Sequence, residues 1–162
     1  MAKVFISRRT LLLASFFSGA SAAIACAQQE STPRPLVLFV CQYGTVKSAV
    51  AREAFRRRAT ERGSSVRAIS RGITPQDHLS EDLQERLRLD GLDAARDPVA
   101  QLDQATLDAA DIVVVFDPLP SSLVRANARD WSEMPSMNSE YDQARAFLDP
   151  RIEALLIEIA AP

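Results

Sequence analysis

A continuous apolar run, Leu36–Val40, leads through a short loop into a helix-like stretch, and this pairing restricts the fold more than anything else in the chain. The run is of strand length and rich in valine and phenylalanine, the pattern of a strand buried on both faces. From Ser48 to Arg58 the sequence reads as a helix, with Ala51, Ala54, Phe55 and Arg58 on one side. The loop between them opens with Cys41, continues through Gln42, Tyr43, Gly44, Thr45 and Val46, and closes with Lys47 and Ser48. A loop that passes from a strand to a helix N-terminus aims successive backbone N–H groups at one spot, where the helix dipole adds positive character. That arrangement is an oxyanion site. A thiol on its rim is the expected nucleophile, because such surroundings favour thiolate over thiol. The plainer reading of Cys41 is a buried structural cysteine; its place past the end of a core strand, where open parallel sheets hold their ligands, favours function.

The rest of the chain repeats the alternation of strand and helix. Gly63 is a natural stop for the first helix, and residues 66–70 form a short strand followed by a loop at Arg71–Pro75. Ser80 caps a helix that has acids in its first turn and Gly91 at its end. Asp103 caps a shorter helix reaching Ala110, and Asp111–Phe116 is a second strongly apolar run, again a buried strand. The segment Leu119–Arg129 reads as helical at its centre, and Asp130–Trp131 as the end of a fourth strand. A last helix covers Tyr141–Ala161, interrupted or restarted at Asp149 and Pro150. Strands alternating with helices predict an α/β fold, a three-layer sandwich with a small, about four-stranded, parallel sheet flanked by helices.

Residues before this domain read differently. Lys3, Arg8 and Arg9 make a basic start, Leu11–Phe17 is apolar, and a run of small residues follows with Ala23 and Ala25 placed for a signal peptidase. Residues 7–12 also fit the twin-arginine pattern of bacterial export signals. Residues 1–27 are therefore expected to be an export signal, 28–34 a polar leader, and 35–162 the folded domain. The expected location is periplasmic or secreted; the alternative is a membrane anchor at the N-terminus, uncleaved or lipidated at Cys26. Removal of residues 1–25 takes away three cations and no acid, leaving 16 Lys and Arg against 21 Asp and Glu, a formal charge of −5. Such a balance argues against a general nucleic-acid partner. With Cys41 the one cysteine beyond residue 26, neither an internal disulfide nor a cysteine-based metal cluster is expected in the domain.

An apolar strand, a cysteine, five residues, a cation, a serine and a small-residue helix together resemble the low-molecular-weight protein tyrosine phosphatase family, whose signature is Cys, five residues, Arg, then Ser or Thr. The resemblance implies hydrolysis of phosphomonoesters, phosphotyrosine above all, through a phosphocysteine on Cys41. It also implies loop residues 42–48 as the phosphate cradle, and no cofactor. Expected partners are a phosphorylated protein, a small phosphomonoester or an inorganic oxyanion. Gly44 stands where the family usually has Asn, and both residues tolerate positive φ. Ser48 would donate to the thiolate or start the helix.

Two positions depart from that pattern. The arginine place holds Lys47, a point charge instead of a planar fork, although the chain beyond residue 33 otherwise uses only arginine for its Lys and Arg positions. The family's general acid, an Asp before Pro near the C-terminal third, is matched here by Met134 before Pro135. Glu133 is the first substitute, Asp130 the second, and Asp117 lies at the catalytic edge of a strand. Asp97, Asp117 and Asp149 each precede proline, with a plainer role as turn or cap. His78, the single histidine, reads as a loop residue ahead of a helix. Met134 and Met137 either line the pocket mouth or pack. The nucleotide-binding pattern Gly-x-x-x-x-Gly-Lys-Ser is not met, since Cys41 and Val46 occupy its glycine places. Three readings follow: a phosphatase weakened by Lys47 and the missing Asp, a non-catalytic relative that binds phosphate or a phosphorylated partner, and an arsenate reductase-like thiol enzyme.

Overall fold

A computed structural model describes residues 34–161. The expected export segment, with its cleavage and lipidation sites, lies outside the described residues. Eight elements follow one another: β1 (Leu36–Cys41), α1 (Lys47–Glu61), β2 (Arg67–Gly72), α2 (Glu81–Leu89), α3 (Gln104–Ala109), β3 (Ile112–Val115), β4 (Arg129–Asp130) and α4 (Tyr141–Ala160). The strands form one parallel sheet in the order β2-β1-β3-β4. Both apolar runs therefore take the two central places, as their composition requires, while the more polar β2 and the two-residue β4 take the edges. Among the described residues no helix is long and apolar enough to cross a membrane.

The period of two along β1 divides the core into layers. Val37, Phe39 and Cys41 face one side, where they meet Ala51, Ala54 and Phe55 of α1 and Leu148, Ile152 and Leu155 of α4. Leu36, Leu38 and Val40 face the other side, against Leu107 of α3 and Val113 and Val115 of β3. Phe39 meets Phe55 edge to face at 5.8 Å and leans on Trp131 at 6.2 Å, while Trp131 also meets Phe116 at 5.9 Å. These contacts seat the segment after β4 on the sheet. Each fully buried side chain of this size contributes about 1.5–3 kcal/mol through removal of apolar surface from water.

Caps explain where the helices begin. Ser80 Oγ accepts the N–H of Leu83, and Asp103 accepts that of Thr106. Hydrogen bonding from the Thr106 side chain and, second, from its N–H holds the Asp103 carboxyl below its ordinary range. Gly63 and Gly91 adopt φ of +65° and +68° just past α1 and α2.

Two expectations need correction. Residues 119–128 form turns and irregular loop, not a helix, and Arg129 already belongs to β4. Pro118 and Pro120 restrict the backbone, Asn127 takes φ of +61°, and tertiary bonds claim the groups a helix would use. Val124 exchanges its N–H and C=O with the Gln104 side chain at 2.9 Å each, and Arg125 donates to the carbonyl of Ala110. The last helix, by contrast, runs unbroken through Pro150. Proline removes one backbone bond to the residue four before it; that residue, Ala146, is exposed like Pro150 itself, so the break falls on the solvent side of the helix. Burial of Ala144, Leu148, Ile152, Leu155 and Leu156 on the opposite face carries the helix across the break.

Candidate active site

Cys41 ends β1 and is 5% exposed, so its sulfur sits at the carboxyl edge of the central strand. Ser48 Oγ lies 3.0 Å from Cys41 Sγ, and the Gly44 N–H donates to that sulfur at 3.2 Å. Gly44 can turn its N–H inward because its φ is +80°, a conformation available to glycine at no steric cost. The backbone N–H groups of Tyr43, Thr45, Val46, Lys47 and Ser48 have no acceptor among the described residues. Unpartnered donors on a curled loop at a helix N-terminus form an anion-binding concavity. Ser48 is fully buried beside the sulfur, and its hydroxyl serves the thiol; no side chain caps the first turn of α1.

Segment 73–78 fixes the loop from behind. Ile73, Thr74 and Gln76 donate their N–H groups to the carbonyls of Cys41, Gln42 and Tyr43 at 3.1, 2.8 and 3.1 Å. Thr45 Oγ1 donates to the Gln76 carbonyl at 2.8 Å and accepts the His78 N–H at 3.3 Å. Gln42 Nε2 donates to Thr74 Oγ1. Nothing local in the sequence announces this zipper, which joins residues far apart in the chain.

A pocket of about 270 Å³ opens over the sulfur, lined by Cys41, Gln42, Tyr43, Val46 and Lys47 from the loop. His78, Asp117, Ser136, Met137 and Asn138 complete it. Tyr43 and His78 stack with ring centroids 4.2 Å apart. Lys47 Nζ donates to the Met134 carbonyl at 2.8 Å, spanning from α1 to the 131–138 segment. Asp117 accepts the Gln42 N–H at 2.8 Å, so that amide is engaged instead of facing an anion.

The structure thus brings together Cys41, the loop and Lys47, and leaves out the first acid candidate. Glu133 is exposed and is not among the pocket residues. Asp130 is also outside the lining; hydrogen bonding from the Ser132 side chain and, second, from the Ser132 N–H at 2.8 Å holds its carboxyl below the ordinary range. Of the acid candidates only Asp117 reaches the pocket. Met134 is 2% exposed and packs in the core, while Met137 both packs and lines the pocket. His78, read from sequence as a plain loop residue, stands in the lining. Among the described residues no group of three His, Cys, Asp or Glu side chains is placed to hold a metal ion.

A parallel sheet carrying a cysteine loop of this shape at its central strand defines an α/β protein with a buried thiol set beside unpartnered loop amides. The chain belongs to the low molecular weight phosphotyrosine protein phosphatase family, whose profile matches residues 36–152. Its fold is similar to that of YfkJ from Bacillus subtilis, at 20% identity over 80% of this chain and 96% of that one, with a TM-score of 0.65. A thioredoxin-dependent arsenate reductase of Corynebacterium glutamicum is similar at 23% identity, covering 80% of this chain and 63% of that one, TM-score 0.64. The low molecular weight protein tyrosine phosphatase of T. tengcongensis is similar at 20% identity, covering 76% and 99%, TM-score 0.57. At such identities the likeness is one of fold. No curated protein matches the sequence.

Proposed function

We propose that this chain is an exported phosphatase of low-molecular-weight type that hydrolyses phosphomonoesters through a phosphocysteine on Cys41, at a reduced rate. The observation that carries this reading is the Cys41 sulfur, bonded by Gly44 N–H and Ser48 Oγ beneath five unpartnered loop amides. In the proposed reaction Cys41 attacks phosphorus in line, and the loop amides with Lys47 stabilise the equatorial oxygens. Water then releases phosphate and regenerates the thiolate. The substrate is a phosphorylated protein or a small phosphomonoester, and the aromatic Tyr43 and His78 at the mouth suit an aryl ester.

Two features reduce the expected rate. An ammonium stands in for a bidentate fork, and one poorly placed donor costs roughly 100- to 1,000-fold in transition-state stabilisation. The carboxylate expected before Pro135 is absent. The test is turnover of 4-nitrophenyl phosphate by the wild-type chain against Cys41→Ser, with quenched mass spectrometry for the phosphocysteine. Activity in the wild type alone is expected; equal rates in both would end the proposal.

A second reading, a non-catalytic phosphate binder, is favoured by one observation: Lys47 is satisfied at the Met134 carbonyl. Calorimetry with phosphate and arsenate separates the two, since binding without turnover would select the second. An arsenate reductase-like activity would need an external thiol, because Cys41 is the one cysteine among the described residues. Export rests on residues 1–27 of the sequence, with 28–34 as a polar leader and 35–162 as the folded domain. N-terminal sequencing of protein from the producing cell should begin near Cys26 or Gln28, and a chain still starting at Met1 would contradict it.

A further inference from the structure

The phosphatase reading requires a proton donor for the leaving oxygen, and the pocket geometry discriminates among the side chains available. In-line displacement places that oxygen opposite the attacking sulfur. The donor must therefore stand on the rim and not on the floor beside the nucleophile. Asp117 is tied at 2.8 Å to the amide of Gln42, the residue next to Cys41, which is a floor position. Glu133 and Asp130 are outside the lining. His78 is exposed and lines the pocket, which is a rim position.

The ring of His78 is held in three ways. Its backbone N–H donates to Thr45 Oγ1 of the loop, its face stacks on Tyr43 at 4.2 Å, and its Nε2 pairs with Gln76 Oε1 at 2.7 Å. Gln76 is itself bonded to the loop through the Tyr43 carbonyl and the Thr45 hydroxyl. The amide oxygen of Gln76 can only accept, so it assigns a proton to Nε2. In the imidazolium the second proton is on Nδ1, which has no acceptor among the described residues. A donor whose orientation is set through one nitrogen, with the other free, meets the requirement for general acid catalysis.

We infer, on the phosphatase reading above, that His78 is the catalytic acid of this protein, in the role the family pattern gives to an Asp. As the bond from Cys41 Sγ to phosphorus forms and the ester P–O bond breaks, the leaving oxygen takes the proton from His78 Nδ1. The neutral ring then accepts a proton from the water that attacks phosphorus. The P–S bond breaks, the thiolate leaves, and inorganic phosphate carries the new oxygen. Protons and electron pairs balance without any further reactant.

Leaving-group dependence tests this directly. A phenolate as acidic as 4-nitrophenol departs without a proton; phenol does not. His78→Phe keeps an aromatic ring on Tyr43 and loses the proton. Its kcat on phenyl phosphate is expected to fall about 100-fold, and on 4-nitrophenyl phosphate by less than about fivefold. Free imidazole in the assay should restore phenyl phosphate turnover to His78→Ala. An unchanged ratio of the two rates in His78→Phe would reduce His78 to a stacking residue and overturn the assignment alone. A wild type that cleaves 4-nitrophenyl phosphate but not phenyl phosphate overturns it as well. No hydrolysis of either ester by the wild type overturns the phosphatase reading and this assignment together.

Discussion

Lys47 shows how one substitution changes the geometry of a site while keeping its charge. Its ammonium reaches the Met134 carbonyl at 2.8 Å, closing the gap between the start of α1 and the 131–138 segment. A hydrogen bond from a charged donor contributes about 1.5–3 kcal/mol, and this one competes with any oxyanion in the pocket. An arginine has five donors in a planar fork, enough to hold the carbonyl and an anion at once. Lys47→Arg is therefore expected to raise kcat/KM on 4-nitrophenyl phosphate by about tenfold. A fall would mean that residues 131–138 are shaped around the shorter ammonium. Lys47→Met should weaken phosphate binding measured by calorimetry about tenfold or more, since both the charge and the donor go. The sequence exposes this residue easily, because its signal is local: one cation in a loop of known spacing. It hides the partner, a main-chain carbonyl whose position no side-chain pattern records.

At the scale of elements, the end of β2 turns out to shape the cysteine loop. A Cβ on Gly72 would sit 2.7 Å from the Tyr43 carbonyl oxygen and 3.0 Å from Gly44 N, and a Cβ on Gly44 would sit 2.7 Å from Gly72 N. Backbone meets backbone there, so neither side can yield as a flexible side chain would. Gly72→Ala is expected to destabilise the fold by about 1–3 kcal/mol and to abolish phosphate binding, because the displaced loop loses its cradle. Chemical denaturation with calorimetry on the same variant checks both. Retained binding would show that the loop is seated by segment 73–78 alone. The strand–loop–helix unit β1–α1 was legible in sequence because each part has its own period and composition. The role of Gly72 was not, since it depends on register: Cys41 pairs with Gly72 across the sheet. Likewise, the pattern over 119–129 favours a helix locally, and bonds from Gln104 and Arg125 override it. Sequence placed Glu133 beside the acid position and left His78 as a loop residue for the same reason: which loops converge on a strand end is a property of the assembled sheet.

Across the whole molecule, a buried charge network joins α1 to β2 and to residues 91–98, and no apolar pattern foretells it. Arg52 is 2% exposed in the first half of α1. It donates to Glu53, to Ser70 of β2 and to the Ala94 carbonyl, and it lies 3.6 Å from Asp97. Arg56 bonds Asp97 at 2.8 Å and Glu53 at 3.2 Å. Removing one partner of a buried pair costs about 3–5 kcal/mol, because the other is left without compensation. Arg52→Leu is expected toward the lower end, since Glu53 keeps Arg56 and, at 3.6 Å, Arg96. Asp97 gives the same network a pH dependence. The hydrogen bond from Arg56, aided by the charges of Arg52, Arg56 and Arg96, holds the Asp97 carboxyl below its ordinary range despite some desolvation. A carboxyl that binds its proton less readily when folded stabilises the fold above its unfolded pKa, about 3.9, and loses that contribution as pH falls through the lower folded value. Asp97 is 36% exposed, so solvent screens the effect and keeps it small. Asp97→Asn should therefore lower stability more at pH 7 than at pH 3 in denaturant titrations. Equal losses at both pH values would show that Asp97 holds residues 91–98 through shape alone, and that the arginines of α1 draw no charge stabilisation from it.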